Sequence, residues 1–294
     1  MQENLNNYIK DKKEAIHKEL IRYLEDLVIP DKLKESMLYS VKAGGKRLRP
    51  VLLLAAYEAY GDNTQKALTS AIALEFIHTY SLIHDDLPAM DNDDYRRGKP
   101  TNHKEFNEAT AILAGDALLT YSFEVISNDP LLNDTQKVNL IKALSYSSGP
   151  NGMVGGQMLD MHAENLPITL TELEEIHTHK TGELLRFAIY AGAYLGKATS
   201  EQLSYLKDFA YYLGLIFQVQ DDILDITGDP DKIGKPVGSD EGNQKSTYPK
   251  LLGLEGAVEQ KNSYVMKAKE ALKKANAEHS YLMQLTDFFS QRDH

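Results

Sequence analysis

The chain has 294 residues, 42% of them hydrophobic, and 43 acidic against 32 basic residues give a formal charge of −11. That balance argues against a nucleic-acid backbone as partner, and the lack of cysteine excludes a disulfide framework and thiolate zinc sites. The polar Met1–Asn7 stretch has no signal-peptide core, and runs such as Val51–Ala56 are far too short to cross a bilayer, so a cytoplasmic protein without a membrane span is expected.

Long apolar periods without strict alternation, and no Pro/Ser-rich linker, predict an all-α fold with one domain over residues 1–294. An amphipathic helix over 4–28 sets Leu5, Ile9, Ile16, Leu20, Tyr23 and Leu24 on one side, and Pro30-Asp31 breaks it. The next helix ends near Gly44-Gly45, and Pro50 opens another through Tyr60. Residues 65–87 are mostly apolar, which marks a buried helix delivering His84-Asp85-Asp86 at its end. Helices follow over 108–127 and 133–148. Thr171-Glu172-Leu173-Glu174 has the capping-box form, with Thr169 as a rival cap, before a long helix toward Gly196. Residues 200–225 form another helix; 226–249 form a loop carrying Lys232, Lys235 and Lys245; residues 249–290 return to helix. A loop that long in a compact domain reads as a phosphate-facing lid, a plain solvated loop being the competing reading.

Two acidic clusters carry the chemistry. Gln218, Asp221, Asp222 and Asp225 fall at i, i+3, i+4 and i+7 and share one face of an otherwise apolar helix. Carboxylates so close repel one another unless they share a cation, and an all-oxygen donor set suits Mg²⁺ completed by substrate phosphates. In Asp85-Asp86-Leu87-Pro88-Ala89-Met90-Asp91 the third carboxylate is about 120° out of helical phase. Pro88 removes that difficulty, because its ring clashes with the His84 carbonyl and forces the helix to kink or end. The chain can then swing Asp91 back toward Asp85.

Basic residues gather nearby in sequence. Gly44-Gly45-Lys46-Arg47-Leu48-Arg49-Pro50 sets cations beside glycines whose backbone N–H groups can approach an anion. Arg96-Arg97-Gly98 follows Asp91 by five residues, and a guanidinium suits bidentate phosphate contact. Lys180-Thr181-Gly182 joins a cation, a hydroxyl and a small residue. His78 shares a helix face with Asp85 two turns on, a buried structural histidine being the competing reading, whereas His177 and His179 fall on different faces and make no zinc pair.

Taken in order, these motifs resemble the trans-isoprenyl diphosphate synthases, together with Ala114-Gly115-Asp116, Gly155-Gly156-Gln157-Met158-Leu159-Asp160 and Lys245-Ser246-Thr247. The resemblance implies an all-α bundle around a central cavity, a homodimer, and three Mg²⁺ ions bound by Asp85, Asp91 and Asp221 with Asp86, Asp222 and Asp225 supporting through water. It assigns Arg96, Lys180, Thr181, Gln218 and Lys235 to the allylic substrate, Lys180, Thr181 and Gln218 being catalytic. Gly45, Lys46, Arg49, His78 and Arg97 would hold isopentenyl diphosphate. The implied reaction condenses isopentenyl diphosphate with dimethylallyl and geranyl diphosphate to (2E,6E)-farnesyl diphosphate. Tyr80, followed by Ser81, lies about 7.5 Å before Asp85 along the helix and would floor the product tunnel at C15. A C20-forming synthase, a terpene cyclase and a non-catalytic synthase subunit are the rival readings. Arg292 is a candidate for stabilising a closed state.

Overall fold

Nearly all regular structure in the computed structural model, which describes residues 2–164, 166–228 and 246–292, is helical, as the apolar periods require. Contacts divide the chain into two compact units, residues 1–54 with 63–141 and residues 55–62 with 142–294.

The first unit contains α1 (Gln2–Glu25), α2 (Asp31–Lys42), most of α3 (Leu48–Glu58), α4 (Gln65–Asp85), the short α5 (Asn102–Glu105) and α6 (Glu108–Ser127). Its core includes Ile16, Leu20, Leu52, Leu53, Ile72 and Phe76, all fully buried. α4 packs along α6. The approach is close because residue 115 is glycine: a Cβ there would lie 2.1 Å from the His84 ring. By length and composition alone α6 is apolar enough to cross a membrane, a test that the core helix of a helical bundle also passes. Ala111, Ala114, Gly115, Leu118, Ser122, Val125 and Ile126 give it a buried face within the unit, while Ile112 and Leu113 are exposed.

A hairpin was not expected. Strands β1 (Tyr95–Arg96) and β2 (Lys99–Pro100) pair antiparallel around Arg97 and Gly98, whose φ values of 54° and 75° are those of a two-residue primed turn. Only the glycine half of the usual turn signal is present, so the motif reads poorly in sequence.

The second unit contains α8 (Met153–Ala163), α9 (Leu170–His177), α10 (Glu183–Leu195), α11 (Ser200–Thr227), α12 (Tyr248–Lys274) and α13 (Tyr281–Gln291), while α7 (Asp134–Ser148) runs from the first unit into it. Phe187, Phe209, Tyr248 and Phe289 fill its core. Thr169, rather than Thr171, caps α9: its side chain accepts from the Glu172 N–H while Glu172 reaches back to the Thr169 N–H. The extended backbone of Thr169 (φ −77°, ψ 164°) is what a cap requires. The long helix foreseen toward Gly196 is interrupted by a π-helical turn at Thr178–Gly182. Such turns concentrate at functional sites, and this one carries Lys180 and Thr181. α8, with two glycines in its first turn, was absent from the sequence reading. α12 breaks at Gly253, where φ is 74°.

Candidate active site

In the first unit α4 stops at Asp85, three residues before Pro88. The Asp91 N–H donates to the Asp85 carbonyl at 2.9 Å and the Asn92 N–H to the Leu87 carbonyl at 3.1 Å, so the chain folds back over the helix end as Pro88 suggested. Asn92 makes the turn in the left-handed region, φ 53°. Asp91 is exposed, whereas Asp86 is buried. The hairpin positions Arg96 to clasp Asp86: Nε donates to both carboxylate oxygens, at 2.7 and 2.9 Å. Burial pushes the Asp86 carboxyl up, against the pull of Arg96.

The residues expected to hold the second diphosphate also gather here, and the hairpin turn explains how. Arg97 lays its guanidinium on the Gly44-Gly45 turn and donates to the Gly44 carbonyl. A Cβ at Gly45 would stand 2.5 Å from that guanidinium, and its φ of 128° is one few side chains tolerate. Arg49 Nη1 is 3.4 Å from His78 Nε2. Burial, then the charges of Arg49, Arg97, Arg47 and Arg96, hold His78 well below the usual histidine range, so its ring is neutral. Burial and like charge lower Arg97 to about 10. Lys46 is exposed. Arg47 has a different task, pairing at 2.6 Å with Glu75 where both side chains are buried. Tyr80 is buried on α4 with its ring 5.7 Å from His84, and Ser81 Oγ donates to the His78 carbonyl at 3.0 Å.

The second unit holds a cavity of about 190 Å³ whose lining includes Asp160, His177, Lys180, Gln218, Asp221 and Asp222. Four of these were expected from sequence; Asp160 and His177 were not given a role. Lys180 Nζ donates to Asp160 Oδ2 at 2.5 Å. Glycine makes that encounter possible, because a Cβ at Gly156 would lie 2.1 Å from the Lys180 backbone nitrogen. The Gly155-to-Asp160 motif thereby seats α8 closely on the π turn. Thr181 is buried and, like buried Asp225, does not line the cavity. Ser246 and Thr247 also line the cavity, while Lys232, Lys235 and Lys245 lie outside the described residues.

Asp222 is fixed by the start of α12, where the Tyr248 N–H donates to its Oδ2 at 2.9 Å. The Tyr248 ring stacks on His177 at 5.7 Å, and Tyr264 donates to Glu174 behind them. His179 instead sits at the surface with Nδ1 2.8 Å from the Glu175 carbonyl, so the two histidines do part company. Burial above all, with Asp160 opposing and Lys180 adding, lowers His177 to about 4. The unfolded chain then takes up this proton near pH 6.5 and the folded chain only near 4. Stability is therefore complete above pH 6.5 and declines as pH falls toward 4, by up to ~3 kcal/mol. A His177→Phe variant, which keeps the stack but cannot titrate, should show a shallower fall of melting temperature across that window; parallel curves would refute the assignment.

The donor chemistry fits Mg²⁺. The carboxylates of Asp221 and Asp222 line one cavity, Asp222 and Asp225 are buried three residues apart on α11, and thiols are absent from the chain. Among the described residues no three histidine or carboxylate side chains converge into a complete cage. Mg²⁺ does not need one, since it keeps waters and binds one or two carboxylates plus phosphate oxygens.

Residues 30–286 match the polyprenyl synthetase family. The chain is 50% identical to the farnesyl diphosphate synthase of Geobacillus stearothermophilus over 293 residues, 99% of each chain. It is 49% identical to that of Bacillus subtilis over 296 residues, 100% of each. A geranyltransferase from Helicobacter pylori, solved with magnesium and isoprenyl diphosphate, superposes with a TM-score of 0.80 at 37% identity, covering 96% of this chain and 94% of its own. Motifs met in order from Gly44 to Thr247, a helical fold and near full-length likeness agree that this chain is a member of the polyprenyl synthetase family.

Proposed function

We propose that this chain is a prenyltransferase that condenses isopentenyl diphosphate with dimethylallyl and then geranyl diphosphate to give (2E,6E)-farnesyl diphosphate, working as one catalytic domain. The observation that carries this reading is the cavity where Lys180, Gln218, Asp221 and Asp222 meet. A cation, an amide carbonyl and carboxylates in one cavity are what departing diphosphate and an allylic cation call for.

Asp85, Asp91 and Asp221 would hold three Mg²⁺ ions, with Asp86, Asp222 and Asp225 supporting them through water. The bound metal would supply charge neutralisation of the diphosphate leaving group. Arg96 and Lys180, each paired with a carboxylate in this structure, would exchange that partner for phosphate oxygens, and Lys235 would add a further contact. The Thr181 oxygen and Gln218 carbonyl would set partial negative charge beside the cation without trapping it. Gly45, Lys46, Arg49, His78 and Arg97 would hold isopentenyl diphosphate so that its double bond attacks the allylic carbon. A neutral His78 suits that role as a hydrogen-bonding group rather than a further charge. The exposed Ile112 and Leu113 on α6 support burial against a second copy, hence a homodimer.

The alternative C20 product is disfavoured by the bulk of Tyr80. A terpene cyclase would lack the Lys46, Arg49 and His78 group, and a non-catalytic subunit would lose an acidic cluster, whereas both clusters stand here. Incubation with labelled isopentenyl diphosphate, Mg²⁺ and geranyl diphosphate, followed by separation of products by length, should give C15 as the main product. A dominant C20 product would overturn the farnesyl assignment. In the same assay Tyr80→Ala should shift output to longer chains, and unchanged C15 output would remove Tyr80 as the tunnel floor.

A further inference from the structure

The C-terminal end of the second unit places a buried cation on a carboxylate of the cavity. The Arg292 side chain is only 2% exposed, and its Nη2 donates to Asp221 Oδ1 at 2.5 Å and to the Phe217 carbonyl at 3.0 Å. Its guanidinium carbon stands 4.1 Å from the centre of the Phe217 ring. The backbone is held as firmly: the Arg292 carbonyl accepts from Gln220 Nε2 at 2.8 Å, and its N–H donates to the Phe288 carbonyl at 3.0 Å. Gln220 is itself oriented by Lys261, whose Nζ donates to Gln220 Oε1 at 2.7 Å. Packing and hydrogen bonds from α11 and α13 therefore seat this arginine. Asp221 itself is 42% exposed and lines the cavity.

We propose that Arg292 is a positioning residue that acts through Asp221, a resident counter-cation that keeps the affinity of this carboxylate for a divalent ion low until substrate diphosphate is present. The proposal rests on the reading of Asp221 as a metal ligand. Two effects of the arginine oppose each other. By holding Oδ1 it fixes the carboxylate orientation, which favours a metal at the other oxygen. By carrying a full positive charge on the same carboxylate it would repel a dication held there, by on the order of tenfold in affinity even at the dielectric of water. Freezing one short side chain is worth well under tenfold, so repulsion wins. Diphosphate reverses the balance, because its negative charges offset both cations and its oxygens complete the metal shell. Metal at Asp221 then loads together with substrate rather than ahead of it. Lys180 and Asp160 in the same cavity compensate each other, which leaves Arg292 as the cation set against Asp221, beside the carboxylates of Asp222 and Glu164.

Binding of Mn²⁺, followed by the free-ion electron paramagnetic resonance signal, tests this without turnover. Without diphosphate, Arg292→Gln should bind Mn²⁺ about tenfold more tightly than the unaltered chain, Arg292→Lys should stay close to it, and Arg292→Gln with Asp221→Asn should lose the gain. Unchanged or weaker binding in Arg292→Gln, or an equal gain in the double variant, would overturn the proposal. If glutamine loosens the end of α13 in a circular-dichroism melt, Arg292→Met keeps an apolar stem over Phe217 and carries the same expectation. Should Asp221→Asn bind Mn²⁺ normally in the presence of inorganic diphosphate, the metal reading of Asp221 itself fails, and the role of Arg292 with it.

Discussion

Asp221→Asn should lower turnover by roughly a hundred- to a thousandfold while the chain still unfolds cooperatively near its usual temperature. The magnitude is that of removing one group aimed at charge developing in a transition state. Asparagine is the informative replacement because it keeps an oxygen for the Arg292 guanidinium, now 2.5 Å from Asp221 Oδ1, and removes only the charge. Alanine would also strand a buried arginine, and a lost rate could then be blamed on the C-terminal end. Asp85→Asn should give a comparable loss from the other acidic cluster. Initial rates with labelled isopentenyl diphosphate over a range of Mg²⁺, alongside thermal melts, make the comparison. Near-normal rates in either variant would contradict metal binding at these carboxylates.

Gly156→Ala should cost both stability and turnover, because the added methyl has nowhere to go. It would lie 2.1 Å from the Lys180 nitrogen and 2.5 Å from its Cα, backbone atoms that cannot rotate aside. Forced separation of α8 from the π turn is an overpacking event worth about 1–3 kcal/mol, or roughly 2–4 °C of melting temperature per kcal/mol for a unit of this size. Rate should suffer more than stability, since Lys180 and Thr181 ride on the displaced turn and a misplacement of ~1 Å can cost on the order of a hundredfold. Gly182→Ala is the control: its nearest neighbour would be the His177 carbonyl at 3.5 Å, ordinary contact, so its melting point should hold. Equal behaviour of the two variants would show that close seating of α8 does not position Lys180.

Both expectations concern residues whose spelling is plain in the sequence, yet they were legible to different degrees. Asp221 was readable because a helix repeats every 3.6 residues, so spacing alone placed Gln218, Asp221 and Asp222 on one face. The fold-back of Asp91 was readable because Pro88 obstructs helix by local sterics. Gly156 was visible only as part of a motif, since its purpose is the absence of a side chain at a contact with a residue 24 positions away. The hairpin was missed because a left-handed arginine at position 97 is unusual, and the clasp of Arg96 on Asp86 follows from that turn.

The sequence by itself determined the helical class, the helix ends at Pro, Gly and cap residues, the acidic clusters and the basic residues that accompany them. Periodicity, turn chemistry and charge repulsion act between near neighbours in the chain, so they can be read without a fold. Only the tertiary structure decided which charge answers which: Arg96 to Asp86, Lys180 to Asp160, Arg47 to Glu75 and Arg292 to Asp221. Those pairings join residues 10, 20, 28 and 71 positions apart. The Coulomb energy between them depends on distance and burial, and packing sets both.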